Sequence, residues 1–173
     1  MNNQIINYII LFISLLLAQV LICNHIILFG VATPIIYIYL VISLPMSSSV
    51  NLLLLISFLS GLTIDIFSDT LGVNCLAAVI MTMCRKPILL LYNPRENDKK
   101  GLIPTMTSLG FSVYLKYLTT LVLIYSIISY SAEYLSFINF SRMTLKIISS
   151  TILSTIILVG IDSLIVNRRE KRL

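Results

Sequence analysis

The chain has 173 residues, of which 58% are hydrophobic and only 11% are charged, and its mean hydropathy is +1.00. An average globular domain is far more polar, so the composition excludes a soluble protein and predicts an all-α polytopic membrane protein with one transmembrane domain, residues 1–173. The net charge of +5 does not indicate nucleic-acid binding, because the basic residues cluster in one loop and in the C-terminal tail, as membrane topology requires.

About 20 apolar residues cross a bilayer, so this length predicts about six spans with almost no mass outside the membrane. The predicted spans are residues 5–27, 31–44, 50–67, 73–92, 103–130 and 140–166. The first is an uncleaved anchor, since the N-terminus lacks the basic start and the cleavage site of a secretory signal. The second covers only about 20 Å at helical rise, so it is tilted, thins the bilayer locally or is partly re-entrant. Pro87 predicts a kink or a stop in the fourth.

Six spans place both termini on the same side of the membrane. That side also receives the loop 93–101 and the basic tail 167–173. Most basic residues fall there: Arg85, Lys86, Arg95, Lys99, Lys100 and four residues of the tail. Because basic residues are retained on the cytoplasmic side, both termini are predicted to be cytoplasmic.

Tyrosines mostly fall near the predicted span ends and are interpreted as an aromatic belt that reports topology rather than binding. They are Tyr37, Tyr39, Tyr92, Tyr125, Tyr130 and Tyr134.

Two carboxylates, Asp65 and Asp69, interrupt the apolar chain at the end of the third predicted span. A carboxylate near hydrocarbon costs about 2.5–3.5 kcal/mol on insertion scales, so it usually marks a paired or functional site. Ser57, Gly61 and Asp65 follow at intervals of four and therefore share one helix face. Asp65 is predicted to be a buried contact on that face, and Asp69 a solvated helix end.

The spacing of Gly61, Asp65 and Asp69 also matches half of the aspartate motif of phosphatidyl-alcohol transferases, which hold a divalent metal against a diphosphate. The upstream half of that motif is absent, and the predicted topology puts these carboxylates on the outer side. The sequence also lacks a Ser-His-Asp order and a phosphate-binding loop. We therefore expect no metal, no cofactor and no enzymatic activity.

Three further charged residues lie inside predicted spans and are candidate intramembrane polar contacts: Lys116, Lys146 and Asp162. Lys116 lies too deep to extend easily to the surface, yet its height differs from that of Asp162 by about 12 Å, which disfavours a direct pair. Lys146 matches the height of Asp65, so these two are predicted to pair; the alternative is that Lys146 extends to the interface.

The stretch from Gly61 to Asn74, at the end of the third of about six spans, resembles the signature of the rod shape-determining protein MreD family. The matching positions are Gly61, Asp65 and Gly72, and Ser68 and Asn74 also fit. The resemblance implies a subunit of the cell-wall elongation machinery in the bacterial inner (cytoplasmic) membrane. Its implied partners are the bitopic protein MreC and, through it, MreB and the glycosyltransferase–transpeptidase pair. The implied fold is similar to the substrate-binding subunits of energy-coupling-factor transporters, with six helices around a modest cavity.

The residues add a mechanism to this resemblance. Gly61 allows another helix to approach closely, and Asp65 beside it offers a buried acceptor that is costly unless it is satisfied. Such a face suits either helix docking or a cavity, and the candidate residues are Ser57, Gly61, Asp65, Asp69, Gly72 and Asn74. The sequence thus predicts a scaffold, surrounded by membrane lipid, that binds MreC and positions peptidoglycan synthases. The alternative is a solute-binding subunit of a membrane transporter, with Asp65 in its cavity.

Overall fold

The computed structural model describes residues 2–23, 32–93, 102–133 and 140–170, and these residues form an all-helical protein. Helix α1 continues into one π-helical turn, Gln19–Cys23. The α-helices are α1 (Asn2–Ala18), α2 (Tyr39–Ser43), α3 (Val50–Ser68), α4 (Val73–Tyr92), α5 (Met106–Leu109), α6 (Phe111–Glu133) and α7 (Phe140–Glu170).

Four helices, α3, α4, α6 and α7, are long and apolar enough to cross a membrane. A shorter apolar helical stretch, Ile10–Cys23, precedes them. Their outer faces carry large exposed apolar side chains, among them Leu55, Ile66 and Ile156. Contact between such faces and lipid hydrocarbon costs no free energy, whereas their contact with water is unfavourable. The predicted class, an all-α membrane protein, is confirmed.

Helix α6 packs between two of the other long helices. Helix α3 packs on α4, α4 packs on α6, and α6 packs on α7. Buried side chains recur along α6 at helical spacing, including Tyr114, Leu118, Leu121 and Tyr125. Tyrosine combines a large apolar ring with a hydroxyl that needs a partner when it is buried, so the core contains polar atoms at several depths.

The second predicted span, 31–44, is not a membrane-crossing helix. Only Tyr39–Ser43 is α-helical, and the described residues before it are non-helical up to Ile38. Residues 34–44 are nevertheless all buried. Non-helical backbone at membrane depth is tolerated where protein covers it and its polar groups find partners. We call residues 32–44 the buried segment; its helical prediction was wrong except at α2.

Side chains from neighbouring helices are the hydrogen-bond partners of backbone groups in the non-helical part of the buried segment. The backbone N–H of Thr33 donates to Ser150 Oγ (3.1 Å), and that of Ile35 donates to Ser154 Oγ (2.8 Å). Gln19 accepts from the N–H of Ile36 through Oε1 (2.7 Å) and donates through Nε2 to the carbonyl oxygen of Pro34 (3.0 Å). Serine and glutamine side chains thus replace the missing helical ladder.

The fifth predicted span differs from its predicted bounds, whereas α4 has the predicted bounds but not the predicted stop at Pro87. The fifth predicted span, 103–130, is divided by Gly110, whose φ of 78° is readily adopted only by glycine. Before this break lies the short helix α5, and α6 begins directly after it. Helix α4 contains Pro87 but continues to Tyr92, so the proline does not stop the helix.

Arg85, predicted to mark the cytoplasmic surface, is instead buried, with 1% of its surface exposed. Its Nη2 donates to the carbonyl oxygens of Ile42 (3.0 Å) and Leu44. Carbonyl groups at the end of a helix have no intrahelical partner, and here they belong to the end of α2. Arg85 therefore binds the C-terminal end of the buried segment inside the protein. Its interpretation as a charge at the cytoplasmic surface was wrong.

Candidate functional site

Ser57, Gly61 and Asp65 are all buried, and the latter two contact α4. At Gly61 the two helices are nearly in backbone contact: a Cβ atom there would lie 2.4 Å from Cys75 Cα and 2.8 Å from Cys75 N. Such distances are shorter than real Cβ contacts, so glycine is required. The close approach expected at Gly61 is therefore made by α4 of the same chain.

The carboxylate of Asp65 binds the beginning of α4. It accepts hydrogen bonds from the backbone N–H groups of Asn74 (3.0 Å) and Cys75 (2.8 Å), from Asn74 Nδ2 (3.0 Å) and from the hydroxyl of Thr70. These N–H groups lie in the first turn of α4, where no helical carbonyl can reach them. Gly72, the N-cap residue, has no side chain to satisfy them. Asp65 thus caps α4 from the preceding helix, and its negative charge suits the positive end of the helix dipole.

The turn between α3 and α4 brings Asp65 to this position. Asp69 ends α3 with a left-handed φ of 52°, and its N–H donates to the carbonyl oxygen of Asp65. Gly72 follows with φ 76°. Aspartate is one of the few residues besides glycine that adopts this conformation readily. The Asp69 side chain is exposed, whereas only 4% of Asp65 is exposed. The two carboxylates therefore have different roles.

Asn74 connects this corner to the rest of the core. Its Nδ2 donates to Asp65 Oδ1 (3.0 Å) and Thr70 Oγ1 (3.1 Å), and its Oδ1 accepts from the hydroxyl of Tyr125 on α6 (2.6 Å). The Tyr37 hydroxyl lies 2.9 Å from that of Tyr125, and the two rings meet edge to face with centroids 5.9 Å apart. One network therefore joins α3, α4, α6 and the buried segment.

The assignment of Tyr37, Tyr39 and Tyr125 to an aromatic belt was wrong. All three are buried, and their hydroxyls bind other polar groups inside the protein. The sequence contained one signal: Tyr37 and Tyr39 lie in the middle of an apolar stretch, 31–44, that is too short to cross the membrane as a helix, rather than at its ends.

Asp162 forms a second buried polar centre. It is fully buried on α7 and accepts hydrogen bonds from the Tyr39 hydroxyl (2.8 Å) and from the backbone N–H of Met106 (2.9 Å), the first residue of α5. Lys116 has an exposed side chain on α6. Asp162 thus binds neutral donors, and the disfavoured pair with Lys116 is not formed.

The predicted pair between Lys146 and Asp65 was wrong. Lys146 Nζ lies 3.1 Å from Glu133 Oε2 and 4.6 Å from the centre of the Tyr130 ring. Glu133 ends α6 and Lys146 lies near the start of α7, so the junction of these helices brings them together. Asp65, in contrast, has its oxygens occupied by the first turn of α4.

A cavity of about 360 Å³ lies beside the α3–α4 corner, and we call it the Asp69 cavity. Its walls come from the π-helical turn, the buried segment, α3, α4, α6 and α7. Among its lining residues are Tyr37, Asp69, Asn74, Tyr125, Glu133 and Lys146. Of the candidate site residues, it brings together Asp69, Asn74 and Lys146, whereas Asp65 lies behind Asn74 and Thr70.

Comparisons of the chain with protein-family models, with curated proteins and with solved structures found no match.

Proposed function

We propose that the protein is a non-catalytic scaffold subunit of the cell-wall elongation machinery in the bacterial inner membrane, where it holds the transmembrane helix of an MreC-like bitopic protein. The proposal starts from the resemblance of residues 61–74 to the MreD signature. One observation carries it further: Gly61, Asp65 and Asn74 of that stretch all serve to fix α3 against α4.

The hydrogen bonds of the Asp65 carboxylate support a structural role for residues 61–74. Its four hydrogen bonds go to two backbone N–H groups, one amide and one hydroxyl, all of which donate. A carboxylate held in this way could not bind a metal or accept a proton without exposing the first turn of α4. The outcome is a rigid pair of helices, which is what docking of a third helix requires.

The docking surface we propose is the outer side of α3, since its Gly61 side is occupied by α4. Exposed apolar residues repeat there at intervals of three and four and form a stripe along the helix. The stripe consists of Leu52, Leu55, Leu59, Leu62 and Ile66. Helices associate in membranes through close van der Waals packing, so a smooth stripe on a rigid helix suits a single transmembrane partner.

Co-purification of the tagged full chain with a co-expressed MreC-like protein tests this proposal. Leu59→Trp adds bulk in the middle of the stripe and should reduce the captured partner about tenfold, which corresponds to about 1.4 kcal/mol. Ile156→Trp, a comparable change at an exposed position of α7, is the matched control and should leave capture unchanged. Equal capture by both variants would reject the α3 surface. Failure of the unmodified chain to capture any MreC-like protein would reject the scaffold function.

The alternative function is that of a solute-binding subunit of a membrane transporter, and the Asp69 cavity favours it. This function predicts loss of uptake of a solute, with normal cell shape and normal partner capture, when the cavity is altered. The scaffold predicts rounded cells and reduced capture when the α3 stripe is altered. Measurements of shape and uptake on a cavity variant and a stripe variant therefore separate the two functions.

A further inference from the structure

We propose that the Asp69 cavity binds a small organic ammonium ion. This inference goes beyond the scaffold and does not depend on it. The volume of about 360 Å³ lies in the range of cavities that hold small molecules, and six separate parts of the chain line it while one side stays open. The class of ligand follows from two properties of the lining: which of its hydrogen-bond donors are already engaged within the protein, and which of its charged residues are not in an ion pair.

The hydroxyl and amide protons at the back of the cavity are engaged within the protein. Asn74 directs its amide protons to Asp65 and Thr70. The Tyr125 hydroxyl donates to Asn74, and the Tyr37 hydroxyl donates to Tyr125. Asn74 Oδ1 accepts from both Tyr125 and Ser129 (3.4 Å), whereas the Tyr37 and Tyr125 hydroxyl oxygens keep lone pairs, so this wall presents acceptors and no unused donor. A ligand that complements it must bring donors.

The same pattern continues on the neighbouring wall. The Tyr130 hydroxyl donates to Ser150 Oγ (3.1 Å), and it is hydrogen-bonded to the hydroxyl of Thr33. Both Thr33 and Tyr130 line the cavity. Their protons are again shared within the protein, which leaves lone pairs for a ligand.

Charge selects a cation among the molecules that donate hydrogen bonds. Among the described residues, three charged ones line the cavity, and two of them, Glu133 and Lys146, form an ion pair. The third is Asp69, whose exposed carboxylate makes no ion pair within the described ranges. The lining therefore carries a net charge of −1. Ammonium groups combine a positive charge with several donors.

An ammonium group already occupies one corner of this cavity. Lys146 Nζ rests 4.6 Å from the centre of the Tyr130 ring while it pairs with Glu133. An aromatic ring and a carboxylate together are a common way to hold an organic cation. The lining also includes a second carboxylate, Asp69, together with Tyr37 and Tyr125, whose side chains are buried and contribute hydroxyl acceptors. These groups form the ammonium site we propose.

Binding can be measured on the purified full chain in nanodiscs by calorimetry at constant ionic strength. The probe is 2-phenylethylammonium, with 2-phenylethanol as its neutral analogue and 3-phenylpropionate as an anion. We expect the ammonium to bind with a Kd of about 1 mM, and the alcohol and the anion to bind at least fivefold more weakly, an estimate from about 1 kcal/mol for charges in a wet site. Equal binding of the ammonium and the alcohol would overturn the choice of a cation. Absence of ammonium binding up to about 10 mM would overturn the site.

Asp69→Asn tests whether the Asp69 carboxylate binds the ammonium probe. It removes the charge and keeps the turn, because asparagine also adopts left-handed φ values readily. We expect this variant to bind the ammonium probe about fivefold more weakly while its thermal midpoint without ligand is unchanged. Asp98→Asn, the same chemical change in the predicted cytoplasmic loop, should leave ammonium binding unchanged. An unaltered affinity in Asp69→Asn would overturn the assignment of the cavity.

Discussion

Gly61 allows α3 and α4 to pack closely because its side chain is a single hydrogen atom. The atoms nearest to a methyl group added at this position would be backbone atoms of Cys75 and Asn74, which cannot rotate away as a side chain could. The glycine also brings the two helices close enough for Asp65, one turn later, to reach the first N–H groups of α4. Packing and capping at this corner are therefore one structural feature.

Gly61→Ala should destabilise the protein by about 1–3 kcal/mol, because the added methyl group overfills the α3–α4 contact. Gly160→Ala is the matched control: it lies within α7, with open space around its Cα, and should be neutral or stabilising by up to about 1 kcal/mol. Unfolding of both purified variants by SDS in mixed micelles measures the difference. Equal stability of the two variants would contradict the close contact.

The sequence predicted the buried position of Asp65 but not its partners. Intervals of four from Ser57 through Gly61 placed it on one helix face, and the cost of a carboxylate in hydrocarbon required a donor. Lys146 was expected because its predicted depth in the membrane matched that of Asp65. The main donors are backbone N–H groups of α4, which nearly every residue carries and which no residue pattern reveals.

At the scale of elements, the buried segment and α7 form an unusual pair. Ser150, Ser154 and Asp162 lie along α7 and bind Thr33, Ile35 and Tyr39 in the same order. Hydropathy predicted a helix for the buried segment because its residues are apolar. Composition reports that a stretch avoids water but not whether lipid or protein covers it, so the non-helical backbone could not be predicted.

Ser154→Ala should reveal how much α7 stabilises the buried segment. The substitution removes the acceptor for the Ile35 N–H, and an unpaired buried N–H costs about 1–3 kcal/mol. Ser149→Ala is the matched control, since the Ser149 hydroxyl donates to the Leu145 carbonyl of its own helix. SDS unfolding of the two variants should show a loss of stability for Ser154→Ala alone. Comparable midpoints would contradict the bond between α7 and the buried segment.

At the scale of the whole molecule, composition predicted the all-α membrane class, which the four long apolar helices confirm. The count of about six crossings and the cytoplasmic position of both termini remain predictions. Arg85 shows why charge counting is imperfect: a basic residue can serve an internal contact and carry no information about sides. The shape of the Asp69 cavity depends on how six parts of the chain pack together, which no local pattern encodes.

Single cysteines can test the predicted orientation. Leu71→Cys places a thiol in the fully exposed α3–α4 turn, which is predicted to face outward, and Asn97→Cys places one in the predicted cytoplasmic loop. A membrane-impermeant maleimide should label the Leu71→Cys variant in intact cells and the Asn97→Cys variant only after lysis. The unmodified chain, with Cys23 and Cys75 buried and Cys84 partly buried, gives the background. Labelling in the reverse pattern would contradict the orientation.

Amide hydrogen exchange of the full chain in nanodiscs decides whether the Asp65 carboxylate caps α4, the feature that unites the Gly61–Asn74 stretch. First-turn amides of a helix normally exchange fast because they lack partners. We expect slow exchange at Asn74 and Cys75, and at least a tenfold acceleration at both amides in Asp65→Ala, with no change in Asp69→Asn. Fast exchange at Asn74 and Cys75 in the unmodified chain, or equal protection in Asp65→Ala, would contradict the cap.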